Sequence, residues 1–185
     1  MVERRDNMKI PVFVSCPTKL SPDQEASHKI VLEELEFLRL EPRALGKSDY
    51  PTDLPMREVY VLATHCSGGV ILGFEQFFAL EGVYKRGTPE EETVDGGVIY
   101  PTPWNQLEAG ILFGLGLPIL VFRESGIEGG IFDPGVTDVF VHQMPQKDIE
   151  SDKREELRDV FLKWQSRVRE HYYRDNRPTT GSGTR

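Results

Sequence analysis

No apolar run in this chain is long enough to cross a bilayer. The longest, from Ala109 to Phe122, is broken by Gly110, Gly114, Gly116 and Pro118. The opening "MVERRDNMKIPVF" carries charges but no apolar stretch of signal-peptide length, so a cytoplasmic protein is expected. Cysteine is scarce: Cys16 and Cys66 do not make a disulfide framework and are expected to be reduced. The four histidines are scattered, without Cys/His spacing for zinc, so no metal site is expected. Basic residues are outnumbered, 22 against 30 acids, and a net charge of -8 argues against a nucleic-acid or anionic-membrane surface. Phosphate-gripping and hydrolase signatures are missing too. There is no GxGxxG after the first apolar run, no GxxxxGK[ST] and no GxSxG, which sets aside dinucleotide fingerprints, P-loops and Ser/His/Asp hydrolysis.

What is present is core-forming material. Hydrophobic residues reach 38% of 185, enough for one domain that buries most of its unfolded surface. Short apolar runs alternate with helical patterns. "IPVFVSC" (10 to 16) reads as a strand ended by Pro17. Ser21, Pro22 and Gln24 make a capping box that opens a helix to about Leu40, with Val31, Leu35 and Leu38 as its stripe. "EPRAL" is a second strand, "GKSDYPTD" a loop, and 55 to 66 a helix with Met56, Val59, Ala63 and Cys66 on one side. "GGVILGF" (68 to 74) is a strand apolar throughout, as a sheet covered on both faces requires.

Residues 75 to 101 read as a long insertion of weak periodicity, of the kind that serves as a lid or stays disordered. Thr102 then caps a third helix starting at Pro103. "LPILVFRE" (117 to 124) and "VFVHQ" (139 to 143) are further strands, and 151 to 173 a terminal helix. The rhythm predicts one α/β domain over 8 to 173, an open parallel five-stranded sheet with helices on both faces, and a disordered tail from 174. Ligands of such sheets bind beyond the carboxyl ends of the strands, where the strand order reverses. At those ends lie Ser15 and Cys16, Ser48 and Asp49, and Phe74 with Glu75 and Gln76. Lys19 and Lys47 are nearby cations, and Arg123 and Glu124 read as a mutual pair. His65 reads as a cap on helix carbonyls.

The third helix holds the acid that stands out. Trp104 and Glu108 are four apart on one face, with Asn105 beside them, while Leu107, Ile111 and Leu115 form a separate stripe suited to the sheet. Gly110 and Gly114 each weaken a helix by up to about 1 kcal/mol relative to Ala, which hints at a close approach. On spacing alone, an exposed helix Glu beside a packing Trp is the favoured reading.

"TPWNQLE" has the spacing of the SxWCxxE motif of Toll/interleukin-1 receptor (TIR) domains, with Thr102 for Ser, Trp104 and Glu108 matching, and Asn105 for Cys. "PVFVSCP" resembles that family's first strand, and "GKSDYPTDLP" its flexible loop after strand two. The chain also resembles nucleoside 2-deoxyribosyltransferases, whose helix reads roughly GTxxExGxAxxxGKP; here Thr102, Glu108, Gly110, Gly116 and Pro118 fall in similar order. The resemblance covers about residues 10 to 145. It implies a flavodoxin-like fold and a TIR-like hydrolase or cyclase that breaks the N-glycosidic bond of NAD or a related nucleotide. Glu108 is then catalytic, and Ser15, Cys16, Ser48, Asp49, Phe74, Trp104 and Asn105 bind substrate. NAD is substrate here, and no separate cofactor is implied. Homo-oligomeric assembly and a part in immune signalling belong to the same expectation. A deoxyribosyltransferase-like enzyme and a non-catalytic nucleotide sensor are the alternatives. The insertion at 75 to 101 exceeds what TIR domains carry, and the Asp that the transferases place shortly before their Glu is missing.

Overall fold

The computed structural model of the chain describes residues 9 to 45, 54 to 136 and 141 to 175. Its elements run β1 (Ile10–Ser15), α1 (Pro22–Phe37), β2 (Leu40–Arg43), α2 (Pro55–Thr64), β3 (Gly69–Gly73), β4 (Phe77–Tyr84), β5 (Glu92–Tyr100), α3 (Pro103–Gly114), β6 (Ile119–Arg123), β7 (Val141–Gln143) and α4 (Ser151–Asp175). Five strands form an all-parallel sheet in the order β2-β1-β3-β6-β7, with β1 and β3 adjacent at the point where the order reverses. This is the open α/β sheet of flavodoxin-like type that the alternating pattern predicts.

Consecutive residues on each strand point to opposite faces, and both faces are covered. Val12, Val14, Val70, Leu72, Leu120 and Phe122 meet Val31 and Leu35 of α1 and Phe161 and Trp164 of α4. Phe13, Ile71, Ile119 and Val121 meet Val59 and Leu62 of α2 and Ala109 and Leu112 of α3. That double cover explains why the strands read as unbroken apolar runs.

The capping box forms as its residues predict: the Ser21 side chain accepts from the Gln24 backbone, and the Gln24 side chain from the Ser21 backbone. The helix stops at Phe37 rather than near Leu40, because Arg39 turns left-handed at φ 56° and β2 begins at once. His65 Nδ1 lies 2.7 Å from the Val61 carbonyl at the end of α2, the capping role expected of it. Met56, placed on the inner stripe of α2, is exposed, and Leu62 is buried in its stead. Arg123 and Glu124 do not pair. Arg123 Nη1 donates to the carbonyls of Ile127 and Phe132 at 2.7 and 3.0 Å. Glu124 Oε2 accepts from the Glu75 backbone N–H at 2.6 Å and from Gln24 Nε2 at 3.1 Å, tying the ends of β3 and β6 to the start of α1. Neither Cys16 nor Cys66 forms a disulfide.

The insertion is ordered as an antiparallel ribbon of β4 and β5, not an unstructured lid. Its register shifts near Leu80, across from Gly96 and Gly97, both at positive φ, and Phe78 lies over Gly97 where a Cβ would clash at 2.7 Å. Phe77, Phe78, Leu80 and Tyr84 are all exposed, so the ribbon packs little against the sheet. Its two ends meet, with Gln76 N–H donating to the Tyr100 carbonyl at 2.9 Å. Replacing Phe77–Tyr100 with a short Gly/Ser bridge is therefore expected to leave one cooperative thermal transition, followed by far-UV circular dichroism, close to that of the parent chain. A broad, non-cooperative melt would show that the ribbon holds the sheet together.

No helix among the described residues is long and apolar enough to cross a membrane. No group of three or more His, Cys, Asp and Glu among them is arranged to hold a metal ion.

Candidate functional site

Two ends set the phase of α3. Thr102 Oγ1 accepts from the Trp104 N–H at 3.3 Å, and Gly116, at φ 69°, closes the helix. At that close the Leu117 N–H bonds the Leu112 carbonyl and the Gly116 N–H the Phe113 carbonyl, a Schellman arrangement. In this phase the inward stripe is Asn105, Ala109 and Leu112. Leu107 is 45% exposed, and Ile111 and Leu115 sit only at the margin of the core, so the Leu107–Ile111–Leu115 stripe expected to face the sheet does not do so. The reason is polar: Asn105 turns inward because it finds partners there.

Gly110 and Gly114 have open space where a Cβ would stand, so neither serves a close approach. The close contact is made from the strand. A Cβ on Gly69 would lie 2.4 Å from Leu112, and it is Gly69 that lets α3 settle onto β3.

Glu108 is one residue from the inward stripe, and its carboxylate reaches the rim of a cleft of about 270 Å³. Cys16, Pro17 and Thr18 after β1, Gln76 after β3, and Thr102 and Trp104 of α3 line it with Glu108; Leu45 and Pro55 close the α2 side. The cleft thus opens at the carboxyl ends of β1 and β3, where the strand order reverses. Burial pushes the Glu108 carboxyl up to about 7, against a hydrogen bond from the Ser15 hydroxyl that pulls it down. No cation among the described residues pairs with it.

Beneath Glu108 the polar side chains are linked. Asn105, fully buried, donates from Nδ2 to Ser15 Oγ at 2.7 Å and to the Leu72 carbonyl at 3.3 Å. Ser15 is itself 1% exposed and shares the strand parity of Phe13, which turns it towards α3. Both residues expected to touch substrate therefore lie buried under the cleft instead, bonded to each other and, through Asn105, to the sheet. Ser15 offers no hydroxyl to a phosphate.

Cys16 lines the cleft half-buried, with Sγ 3.5 Å from the Pro17 carbonyl. Trp104 stands on the rim, 41% exposed. Phe74 is a correction: it is fully buried in the core under α1 and α4, because it continues the parity of Leu72 and so points away from the cleft face. Gln76, two residues on, takes the lining position. Ser48, Asp49 and Lys47 lie outside the described residues. Lys19 is exposed and does not line the cleft. Leu45, Pro55 and Thr18 carry no sequence signal; their place follows only from the meeting of β2, α2 and β1 at one edge.

A larger groove, about 810 Å³, lies on the other side of the sheet ends between α1 and β7, bordered by Asp23, Glu75, Glu124 and Asp148. Its central carboxylate, Glu124, is already occupied by Gln24 and the Glu75 backbone, which leaves Glu108 the better-placed reactive acid. No protein-family model matches this chain, and no curated protein does.

Proposed function

We propose that the chain breaks the N-glycosidic bond of NAD or a related nucleotide, with Glu108 as the carboxylate set against the ribose. The observation that carries this reading is a partly buried acid, without a counter-cation among the described residues, on the rim of a cleft at the sheet's switch point. A desolvated carboxylate in that state favours a positively charged ligand. The pyridinium of an oxidised nicotinamide nucleotide supplies that charge, whereas a neutral deoxynucleoside does not. This favours the NAD reading over base transfer between deoxynucleosides.

In the reaction the bond from ribose C1′ to the nicotinamide nitrogen breaks, and its electron pair stays on nitrogen, neutralising the ring. Positive charge builds on the sugar as an oxocarbenium ion. Ionised Glu108 stabilises that charge, and water adds to C1′ with loss of a proton, or a nucleophile of the same nucleotide closes a ring. Since nicotinamide leaves neutral, no second acid is required of the cleft. Trp104 offers a flat apolar surface on which the departing base can stack.

Incubating the protein with NAD and following nicotinamide by liquid chromatography tests the reading. Release is expected to rise with pH through about 7 and level off above it, as the Glu108 carboxyl ionises. An absence of release over the buffer control across that range, at high protein concentration, overturns it. Base exchange between deoxynucleosides under the same conditions would assign the transferase chemistry instead.

A further inference from the structure

We propose that the curled ribbon of β4 and β5 is a second subsite, which takes the other base of a dinucleotide whose nicotinamide half occupies the cleft. The inference rests on the reading of Glu108 and gives it a substrate class, the dinucleotides.

The curl is visible in one contact. Tyr84 stands opposite Glu92 near the ribbon's tip, and Tyr100 opposite Phe77 at its foot. Along a straight strand the step from Glu92 to Tyr100 would span about 25 Å. Yet the Tyr84 and Tyr100 hydroxyls are hydrogen-bonded to one another. The ribbon therefore bends back on itself, at the register shift and at Gly96 and Gly97 with their positive φ. The bend encloses a cavity of about 130 Å³, lined among others by Gly82, Val94, Val98 and the rings of Tyr84 and Tyr100.

The lining decides what this cavity can hold. No charged side chain borders it among the described residues, so it suits neither a phosphate nor a cationic group. At about 30 Å³ per water it has room for about four, the bulk of one flat ring system. Both tyrosines are part-exposed, which leaves ring surface on which a base can stack. Gly82 is the sharper sign. It lies inside β4 without a positive φ, and nothing stands within 4 Å of where its Cβ would be. Neither a turn nor a packed neighbour requires glycine there, although glycine weakens a strand. A side chain at 82 would share the face of its partner Val94 and fill the cavity that both line.

The foot of the ribbon adjoins the cleft. Gln76, which lines the cleft, donates from its backbone N–H to the Tyr100 carbonyl at 2.9 Å, and Thr102, just beyond Tyr100, lines the cleft as well. The cleft, about 270 Å³, falls below the roughly 300 to 1,000 Å³ of sites that enclose a whole small-molecule ligand. A dinucleotide extends past it, and Tyr100 joins the cleft's edge to the cavity. Lys19 stands at the same foot, its carbonyl accepting from Gln76 Nε2 at 3.4 Å, and supplies a cation for the phosphates between the two bases.

Two measurements on the full chain test the subsite. Nicotinamide release is followed with NAD and with nicotinamide mononucleotide, which lacks the second base. The parent is expected to show a KM for NAD about ten- to hundredfold lower. Gly82→Val places two methyls in the cavity and raises strand propensity, so it is expected to fold as the parent does and to bring the two KM values together. Equal KM values in the parent, or a preference that survives Gly82→Val, overturn the proposal. The second measurement needs no turnover. Millimolar AMP added to 15N-labelled protein is expected to shift the amide signals of Gly82, Val98 and Tyr100, and ribose 5-phosphate, which has no base, to leave them unmoved. Signals that ignore AMP, or that move equally with ribose 5-phosphate, overturn it too. A chain whose ribbon responds to AMP but which releases no nicotinamide keeps the base subsite and loses the glycosidase reading. Release from NAD and the mononucleotide alike, with a ribbon silent to AMP, does the reverse.

Discussion

Glu108→Gln is expected to lower nicotinamide release by about a thousandfold while making the protein melt higher than its parent above pH 7. The two effects share one cause. Losing the charge removes the stabilisation of the oxocarbenium ion, and single electrostatic groups aimed at a transition state are commonly worth that much. The same carboxylate is unfavourable to the resting fold. Burial raises its folded pKa from 4.5 to about 7, so the folded chain holds the proton more tightly than the unfolded chain. Its contribution to stability is complete below about pH 4.5 and is lost as pH rises through 7. Once the carboxyl is ionised, that loss amounts to about 3 kcal/mol. A neutral amide has no such dependence. Denaturant titrations of both proteins at pH 5 and pH 8 should show the advantage of the variant only at the higher pH. Equal pH dependence in both would mean that Glu108 is not desolvated in solution.

Phe122→Ala is expected to destabilise the fold by about 3 to 5 kcal/mol, lowering the melting temperature by about 10 °C. Phe122 is fully buried on the α4 face of β6, its ring 5.5 Å from that of Phe161 and 5.8 Å from that of His142. Removing the ring leaves a cavity between a sheet and a helix that are each anchored elsewhere. Trp164 holds α4 to the chain before β6, donating to the Pro118 carbonyl at 3.0 Å, which limits collapse into the space. Because Phe122 and Glu108 lie on opposite faces of the sheet, nicotinamide release per folded molecule should be unchanged. Urea unfolding and a rate normalised to the folded fraction test both halves.

The parts of this fold legible in the residues are those where one physical pattern rules. Central strands such as "GVILG" are buried on both sides, so an unbroken apolar run had one good explanation. Ser21, Pro22 and Gln24 announce α1 because each satisfies a helix-start requirement. The ribbon of β4 and β5 escaped notice because it is exposed on both faces and broken by a bulge, and a strand with no inner face shows no alternation. In the site, Glu108 was singled out by two family motifs that agree on it, since its spacing from Trp104 alone favoured a surface acid. The phase of α3 was not legible, since an inward Asn among Leu and Ile reads as a surface residue until Ser15 and the Leu72 carbonyl are seen to receive it. Phe74 was misplaced for the lack of a parity count from Leu72, a count the strand itself permits. Gly110 and Gly114 suggested contacts that Gly69 makes instead, because spacing along a helix does not say which partner supplies the room.

Among the described residues of the connection from β6 to β7, the one helical element is a short turn, Gly130–Phe132, where an open α/β sheet ordinarily has a crossover helix. It is held by side chains from elements already in place: Arg123 of β6, and Gln106 of α3, which donates to the Gly129 carbonyl at 3.0 Å and accepts from the Ile131 N–H at 3.0 Å. A segment with so little local structure does not order early, since its contacts exist only once β6 and α3 have met. β7, three residues long and paired on one side, depends on it. It follows that this edge is the last part of the sheet to assemble and the first to open. The cleft draws no lining residue from that edge, so fraying there is expected to leave its walls in place.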